Sequence, residues 1–144
     1  MKISTRGRYA LRVMIDLVDH SNGEYVPLKE IAERQNISLK YVEAIMTNLS
    51  KHNMVIGKHG AQGGYKLVKD PYSYTALEIL EITEGSLAPV GCLDCKTNEC
   101  EMNTYCKTLP MWEGLQKLVQ DYFASISLKG LSETSERYIF GAGI

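Results

Sequence analysis

The chain has 144 residues, of which 44% are hydrophobic, and its 16 Lys and Arg almost balance 17 Asp and Glu to give a formal net charge of −1. This length suits one domain, or one small domain with an appendage, and the hydrophobic content excludes a disordered chain. No apolar run reaches the ~20 residues that cross a bilayer, and the start, MKISTR, lacks the apolar stretch of a secretory signal, so a cytoplasmic globular protein is predicted.

Three helices are predicted in the first 51 residues. Ser4 or Thr5 caps the first, which runs to about His20, and Pro27 opens the second, which covers 28–35. Ser38 caps the third, which runs to about Lys51. The positions predicted to face the core recur at helical spacing: Ala10, Val13, Met14, Leu17, Val18, Leu28, Ile31, Ala32, Leu39, Val42, Ile45, Met46 and Leu49.

A glycine-tipped hairpin is predicted next. Two short extended segments, 55–58 and 65–68, flank the sequence HGAQGG at 59–64, whose three glycines permit unusual backbone angles at the tip.

Two more helices are predicted in the second half. Thr75 and Glu78 form a capping box for a helix that ends at Gly85. After the polar, irregular segment 91–107, Thr108 and Pro110 open a long helix to about Ile126, and residues beyond 131 are predicted to be mobile. The long helix has an apolar stripe: Trp112, Leu115, Leu118, Val119, Tyr122, Phe123 and Ile126.

This order of elements is that of a winged helix-turn-helix domain in a mainly α chain. Such a domain inserts its third helix into the major groove of DNA. Residues 1–75 hold 11 Lys and Arg against 7 Asp and Glu, whereas 76–144 hold 5 against 10, so the first part has the charge that suits a polyanion. The alternative is a helical domain that binds protein and has an ordinary solvated basic face.

Ten residues are candidates for contact with DNA. Near the start of the third helix, Ser38 and Lys40 are expected to contact phosphate or base edges. Tyr41 offers a hydroxyl and a ring, and Glu43 can accept a hydrogen bond from cytosine. A cation at the hairpin tip suits a narrow minor groove, and arginines at the start of the first helix suit phosphates. The candidates are Arg6, Arg8, Ser38, Lys40, Tyr41, Glu43, Lys51, Lys58, His59 and Gly60.

All four cysteines lie within fifteen residues, with the spacing Cys92-x2-Cys95-x4-Cys100-x5-Cys106. Neighbouring thiolates repel one another, and a metal centre removes that repulsion. Three interpretations stay open: an iron–sulfur cluster held by three cysteines and one other ligand, a structural zinc site that uses all four, and a thiol–disulfide switch between Cys92 and Cys95. No carboxylate pair, Ser/His/Asp order or phosphate-binding loop is present, so no enzyme is predicted.

Several segments resemble the bacterial regulators of the Rrf-two family, which includes IscR, NsrR and CymR. They are MKISTRGRYA at 1–10, PLKEIAER at 27–34, ISLKYVE at 37–43 and GAQGGY at 60–65, followed by a thiol loop, Trp112 and a long helix. The resemblance covers residues 1 to about 133. It implies a homodimer in which the long helices cross and each winged domain binds one half-site of a palindromic DNA operator.

The resemblance also implies which cysteines hold a cluster. Cluster-binding members use three, with five residues between the last two, which matches Cys92, Cys100 and Cys106. The position of the fourth ligand holds Leu109 where some members have histidine, and Arg8 lies where others have an acidic residue. The fourth ligand is therefore expected to be Cys95, a residue of the partner chain or an exogenous group. A [2Fe–2S] cluster is favoured over [4Fe–4S].

The predicted organisation is therefore a DNA-binding domain at 1–75, a linker helix and cysteine-rich loop at 76–107, and a dimerisation helix with a C-terminal tail at 108–144. The predicted function is transcription regulation, as a repressor or an activator, that responds to iron–sulfur status, nitric oxide or redox state. Two alternatives are a cluster-free regulator of cysteine metabolism controlled by a partner protein, and the switch between Cys92 and Cys95.

Overall fold

Local sequence signals place most of the elements. The computed structural model describes residues 1–134. Over this range no helix is both long enough and apolar enough to cross a membrane. The described elements are helices α1 (Thr5–His20), α2 (Leu28–Gln35) and α3 (Leu39–Lys51), strands β1 (Val55–Lys58) and β2 (Gly64–Leu67), and helices α4 (Ala76–Glu84), α5 (Leu109–Ser125) and α6 (Leu128–Ser132).

Helix starts follow the predicted caps. The Ser4 hydroxyl accepts the Gly7 N–H at 3.2 Å, and the Ser38 hydroxyl accepts the Tyr41 N–H at 3.3 Å. Thr75 and Glu78 form the predicted capping box at the start of α4. Each cap satisfies amide groups that have no partner inside the helix, which contributes ~1 kcal/mol.

Helices α1, α2 and α3 pack against one another, and one carboxylate is buried between α1 and α2. Asp16 is 1% exposed and accepts hydrogen bonds from the Arg34 guanidinium at 2.7 and 3.0 Å and from the Gln35 amide at 3.0 Å. The Asp16 carboxylate raises the pKa of Arg34, chiefly through these hydrogen bonds. Removing one partner of such a pair leaves an uncompensated charge, so this link fixes α2 against α1.

The hairpin of β1 and β2 is antiparallel, and residues 25–26 add one bridge to it. Val26 and Tyr65 exchange two backbone hydrogen bonds, both 2.9 Å long. Gly64 has φ +149, and a Cβ there would overlap the Val26 carbonyl. Glycine is therefore required where β2 runs against the segment that leads into α2.

A buried tyrosine joins the hairpin to the helices. Tyr74 is fully buried, and its hydroxyl donates to the Met54 carbonyl at 2.7 Å and accepts the N–H groups of Val68 and Lys69 at 2.9 Å. Three backbone groups that would otherwise lack partners are satisfied by this one hydroxyl.

Helix α6 was not predicted from the sequence. Leu128 is fully buried in the core, and its N–H donates to the Tyr74 carbonyl at 2.9 Å. The Ala76 N–H donates to the Ile126 carbonyl at 2.9 Å, and Thr75 and Ser127 form an isolated antiparallel bridge. The chain therefore returns to the N-terminal core after α5.

Three details of the sequence prediction are wrong or only partly tested. Leu39 is 44% exposed instead of buried, because it lies in the first turn of α3 at the edge of a groove. Strand β2 covers Gly64–Leu67, one residue earlier than predicted. Of the tail predicted to be mobile, Ser132 hydrogen-bonds Asp19, and residues 135–144 lie outside the described range.

Candidate nucleic-acid interface and cysteine loop

Helix α3 and the hairpin lie on two sides of an open groove of about 690 Å³. Glu43 and Thr47 of α3 line one side, and Lys58, His59 and Gly60 line the other. The opposite side of α3 packs in the core through Val42, Ile45, Met46 and Leu49. The helix therefore has the division that a recognition helix needs: one side buried and one side free for a DNA groove.

The candidates at the start of α3 are exposed, except for one ring. Ser38, Lys40 and Glu43 are exposed. The Tyr41 ring is partly buried and meets the Tyr9 ring edge to face at a centroid distance of 5.6 Å. Tyr41 therefore also packs α3 against α1.

The hairpin tip has a tight turn. Gly60 has φ +106, and its carbonyl accepts the Gly63 N–H at 2.9 Å. Lys58, His59 and Gly60 are all exposed there. A tip without a bulky side chain at Gly60 permits close approach of the backbone to a ligand.

The remaining three candidates, like Ser38, Lys40 and Tyr41, do not line the groove. Arg6 and Arg8 are exposed in the first turn of α1, where Arg8 donates to the Thr5 hydroxyl at 3.0 Å. Lys51 is exposed in the last turn of α3, ~17 Å along the helix axis from Lys40 at ~1.5 Å per residue. Lys40 and Lys51 therefore lie at opposite ends of α3.

Contacts join the end of α4 to the start of α1. The Glu84 carboxylate accepts hydrogen bonds from the Ser4 N–H at 3.2 Å and from the Ser4 hydroxyl at 2.6 Å. A shallow pocket next to this contact is lined by Arg6, Tyr41 and Thr83. The end of α4 thus lies beside two candidate DNA contacts, a relationship that sequence spacing did not reveal.

Residues 91–107 lie within the connection between α4 and α5 and hold all four thiols. Cys95 and Cys100 are exposed, and Cys92 and Cys106 are partly exposed. The hydrogen bonds of this loop in the described chain are local: the Asn98 side chain accepts the Cys100 N–H at 3.0 Å and donates to Asn103 at 3.1 Å. Within residues 1–134 no three His, Cys, Asp or Glu side chains converge closely enough to hold a metal ion.

The thiol of Cys106 lies just before α5. Its Sγ is 3.3 Å from the Thr108 hydroxyl. This hydrogen bond lowers the pKa of Cys106, with help from the backbone N–H groups of Thr108 and Leu109. A lowered pKa favours the thiolate, which is the form that ligates metals.

The apolar side chains of helix α5 divide into a partly buried set and an exposed set. The predicted stripe is partly buried at Trp112, Val119 and Phe123. Leu115, Leu118 and Tyr122 of the same predicted stripe are exposed. Together with Met111 they form an exposed stripe with the 4-3-4 spacing of coiled-coil contact positions. Met111 was not among the predicted positions. Its spacing of four residues from Leu115 is the sequence signal that could have placed it on this face.

Comparison with known proteins identifies the family. The Rrf2 family, described as iron-dependent transcriptional regulators, matches residues 3–134. The chain belongs to the Rrf2 family of transcriptional regulators. Its Rrf2 relatives include the regulator IscR of Vibrio campbellii, 33% identical over 136 residues that cover 94% of this chain and 80% of the relative, and IscR of Photorhabdus laumondii, 34% identical over 137 residues that cover 94% and 82%.

Solved structures of Rrf2 regulators have the same fold. CymR of B. subtilis, described as the global cysteine regulator, superposes with a TM-score of 0.76 at 30% identity, covering 94% of this chain and 99% of CymR. IscR of T. potens superposes with a TM-score of 0.73 at 30% identity, covering 97% and 96%. The predicted fold class, a mainly α chain with a two-stranded wing, is therefore confirmed. The relatives are transcriptional regulators that bind DNA and not enzymes, as the sequence predicted.

Proposed function

We propose that this protein is a homodimeric transcription regulator that binds a palindromic operator and responds to iron–sulfur status, nitric oxide or redox state through the cysteine loop. The observation that carries the sensing part is the loop itself, in which four free thiols lie on a segment joining α4 to α5. Because operator DNA is in the cytoplasm, the protein acts there.

The DNA-binding surface is proposed to consist of the start of α3, the wing and the start of α1. Glu43 and Lys40 approach base edges and phosphates in the major groove, and Lys58 with His59 enters the minor groove. Arg6 and Arg8 contact flanking phosphates. Their exposure in the described chain supports these assignments.

Dimerisation is proposed to use the exposed stripe of α5. Leu118 is 69% exposed and Tyr122 is 63% exposed, with Met111 and Leu115 on the same face. An apolar stripe at coiled-coil spacing fits a second copy of the same helix, which would bury it. Two-fold symmetry of the pair then predicts two half-sites related by the same symmetry.

The donor set of the loop fits an iron–sulfur cluster. Thiolates are the ligands that such clusters take, and Cys92, Cys100 and Cys106 are proposed as three of them. The fourth is Cys95, a residue of the second copy or an exogenous group, and [2Fe–2S] is favoured over [4Fe–4S]. Within residues 1–134 the loop makes only local hydrogen bonds, and no residue from 91 to 107 is buried, so little packing there opposes the rearrangement that would bring the thiols together.

Regulation is proposed to pass through α4. The loop begins after the C-terminal end of α4, and Glu84 at that end is hydrogen-bonded to Ser4. A displacement of this end changes the support of α1, where Arg6 and Arg8 lie. A coupling of ~1–3 kcal/mol between loop and DNA surface would change operator affinity by roughly 5- to 150-fold.

A cluster-free regulator controlled by a partner protein is the second candidate. The similarity to CymR supports it as much as the similarity to T. potens IscR supports the first candidate, since both match this chain at 30% identity. Overall similarity therefore does not choose between the two candidates, and the four clustered thiols favour the first.

Anaerobic isolation and reconstitution with iron and sulfide test the proposal. We expect visible absorbance with iron and sulfide in the bound state, strongly reduced iron in Cys92→Ala, Cys100→Ala and Cys106→Ala variants, and operator affinity that differs between metal-free and loaded protein. A colourless protein without iron after reconstitution would contradict the sensing part. Full, unregulated operator binding by metal-free protein would favour the cluster-free candidate, and zinc without visible absorbance would show a structural zinc site.

A further inference from the structure

Two lysines of the wing share one aromatic ring. The Lys66 ammonium lies 4.7 Å from the centroid of the Tyr25 ring, and the Lys58 ammonium lies 5.6 Å from it. Lys66 on β2 is opposite Ile56 on β1, and Lys58 is two residues from Ile56, so both lysines lie on the same face of the hairpin. The aromatic face attracts each cation.

The ring is held in place by the backbone. Val26, the next residue, exchanges two hydrogen bonds with Tyr65, and the absence of a Cβ at Gly64 lets β2 lie directly against Val26. The segment that contains Tyr25 is thus a third, one-bridge edge of the wing. The three side chains sit on neighbouring backbone segments of fixed register rather than on separate loops.

The positive charge of this cluster is not neutralised by the protein. Neither Lys58 nor Lys66 forms an ion pair with a carboxylate within residues 1–134, and the adjacent Glu24 pairs with no cation there. Lys69 provides a contrast: its ammonium lies 4.8 Å from the Tyr74 ring centroid and also pairs with Glu78 at 3.4 Å. Two like charges over one ring repel each other, and an anion beside them would offset this repulsion.

The cluster reaches the groove between α3 and the wing through one residue, Lys58, whereas Lys66 lines a neighbouring pocket with Gly23 and Ile56. Lys58 belongs both to the cluster and to the lining of that groove, where the proposed DNA surface lies. We propose that Tyr25, Lys58 and Lys66 form a clamp for a backbone phosphate of duplex DNA, next to the minor groove that the wing tip enters. The clamp rests on the proposed function, and it adds affinity without base preference.

Operator binding as a function of salt tests the clamp. With full-length protein and a fluorescent operator duplex over a KCl series, we expect Lys66→Ala to weaken binding by about 3- to 10-fold and to reduce the slope of log affinity against log salt by about 1. Lys69→Ala is the matched control and should leave both unchanged. Tyr25→Phe should keep the affinity because the ring remains, whereas Tyr25→Leu should lower it. Circular dichroism melts confirm that each variant is folded.

The outcomes separate this clamp from the wider proposal. If Lys66→Ala keeps both the affinity and the salt slope, or changes them no more than Lys69→Ala does, the clamp is wrong while operator binding stands. If the native protein itself binds no duplex DNA at low salt, the proposed function fails instead.

Discussion

The Glu84 carboxylate at the end of α4 accepts two hydrogen bonds from Ser4, one from its N–H and one from its hydroxyl. Ser4 caps α1, so the carboxylate lies at the positive end of the α1 dipole as well. Gly7, one turn into α1, is buried against the same carboxylate, and a Cβ there would overlap it and lie 3.2 Å from Leu80 Cδ2. The contact between Glu84 and Ser4 thus joins the helix that leads to the cysteine loop with the helix that begins the DNA-binding region.

Gly7→Ala should destabilise the native protein despite the better helix propensity of alanine. The new methyl group displaces Glu84 and breaks its bonds to Ser4, which we expect to cost ~1–3 kcal/mol in the free energy of unfolding. In a Glu84→Ala background the same substitution should be neutral or stabilising by up to ~1 kcal/mol. A double-mutant cycle by urea denaturation measures this difference, and additive effects would contradict the contact.

Lys40→Ala should weaken operator binding and flatten its salt dependence if Lys40 contacts phosphate. One lost phosphate contact lowers the magnitude of the slope by about 0.9. Lys117→Ala is a suitable control, because Lys117 is an exposed lysine of α5 that pairs with Asp121. Binding of Lys40→Ala that equals that of the control at two salt concentrations would remove Lys40 from the interface.

Glu43→Ala should relax sequence preference more than it lowers affinity. Glu43 is exposed on the side of α3 that faces the groove, where a carboxylate accepts from cytosine and repels a misplaced phosphate. Competition among operator variants with single base changes measures the preference. We expect the discrimination at one base pair to fall by ~1–3 kcal/mol. Unchanged discrimination at every position would argue against base contact.

Leu118→Arg should convert the dimer to monomer. It places a charge in the middle of the exposed stripe of α5. Glu113→Arg introduces the same side chain at an exposed position on the other side of the helix and should leave the dimer intact. Light scattering after size-exclusion chromatography gives the mass, and operator affinity should fall at least about 10-fold in the monomer because one half-site contact is lost. A dimeric Leu118→Arg variant would place the interface elsewhere.

Thr108→Val should raise the pKa of Cys106 in metal-free protein. The Thr108 hydroxyl is the largest cause of the lowered pKa, so its removal reduces the thiolate fraction at neutral pH. In a variant whose other three cysteines are serine, the pH profile of iodoacetamide alkylation should move to higher pH, and the rate at pH 7 should fall. Thr97→Val in the same loop should have no effect. An unmoved profile for Thr108→Val would show that the hydroxyl is not the cause.

The features that sequence predicted well are those that depend on near neighbours. The caps at Ser4, Ser38 and Thr75 each join residues three apart, and helix spacing alone separated the buried from the exposed side of most of α3. The prediction that Leu39 is buried was wrong because a first-turn residue faces whatever lies beside the start of the helix. Here that is the groove between α3 and the wing.

The features that sequence did not predict depend on distant partners. Asp16 is an ordinary charged residue of α1 until Arg34 and Gln35 are brought to it, and a charge at a core position breaks the apolar pattern. The same holds in the candidate site, where strand register, not spacing along the chain, places Lys58 and Lys66 over Tyr25. The spacing of the four cysteines predicted a shared thiol site but not the positions of the thiols in space, because few contacts fix the conformation of the loop.

The bridge between Thr75 and Ser127 attaches the C-terminal end of α5 to the start of α4, whereas its N-terminal end follows the loosely held cysteine loop. The backbone hydrogen bonds that join α5 to the rest of the fold therefore lie at its C-terminal end. Its 17 residues extend ~25 Å, so a swing of about 10° moves the N-terminal end by about 4 Å and leaves Ile126 in place. We expect changes in the loop to rotate α5 about its C-terminal end, with the largest displacement near Met111 and the smallest near Tyr122.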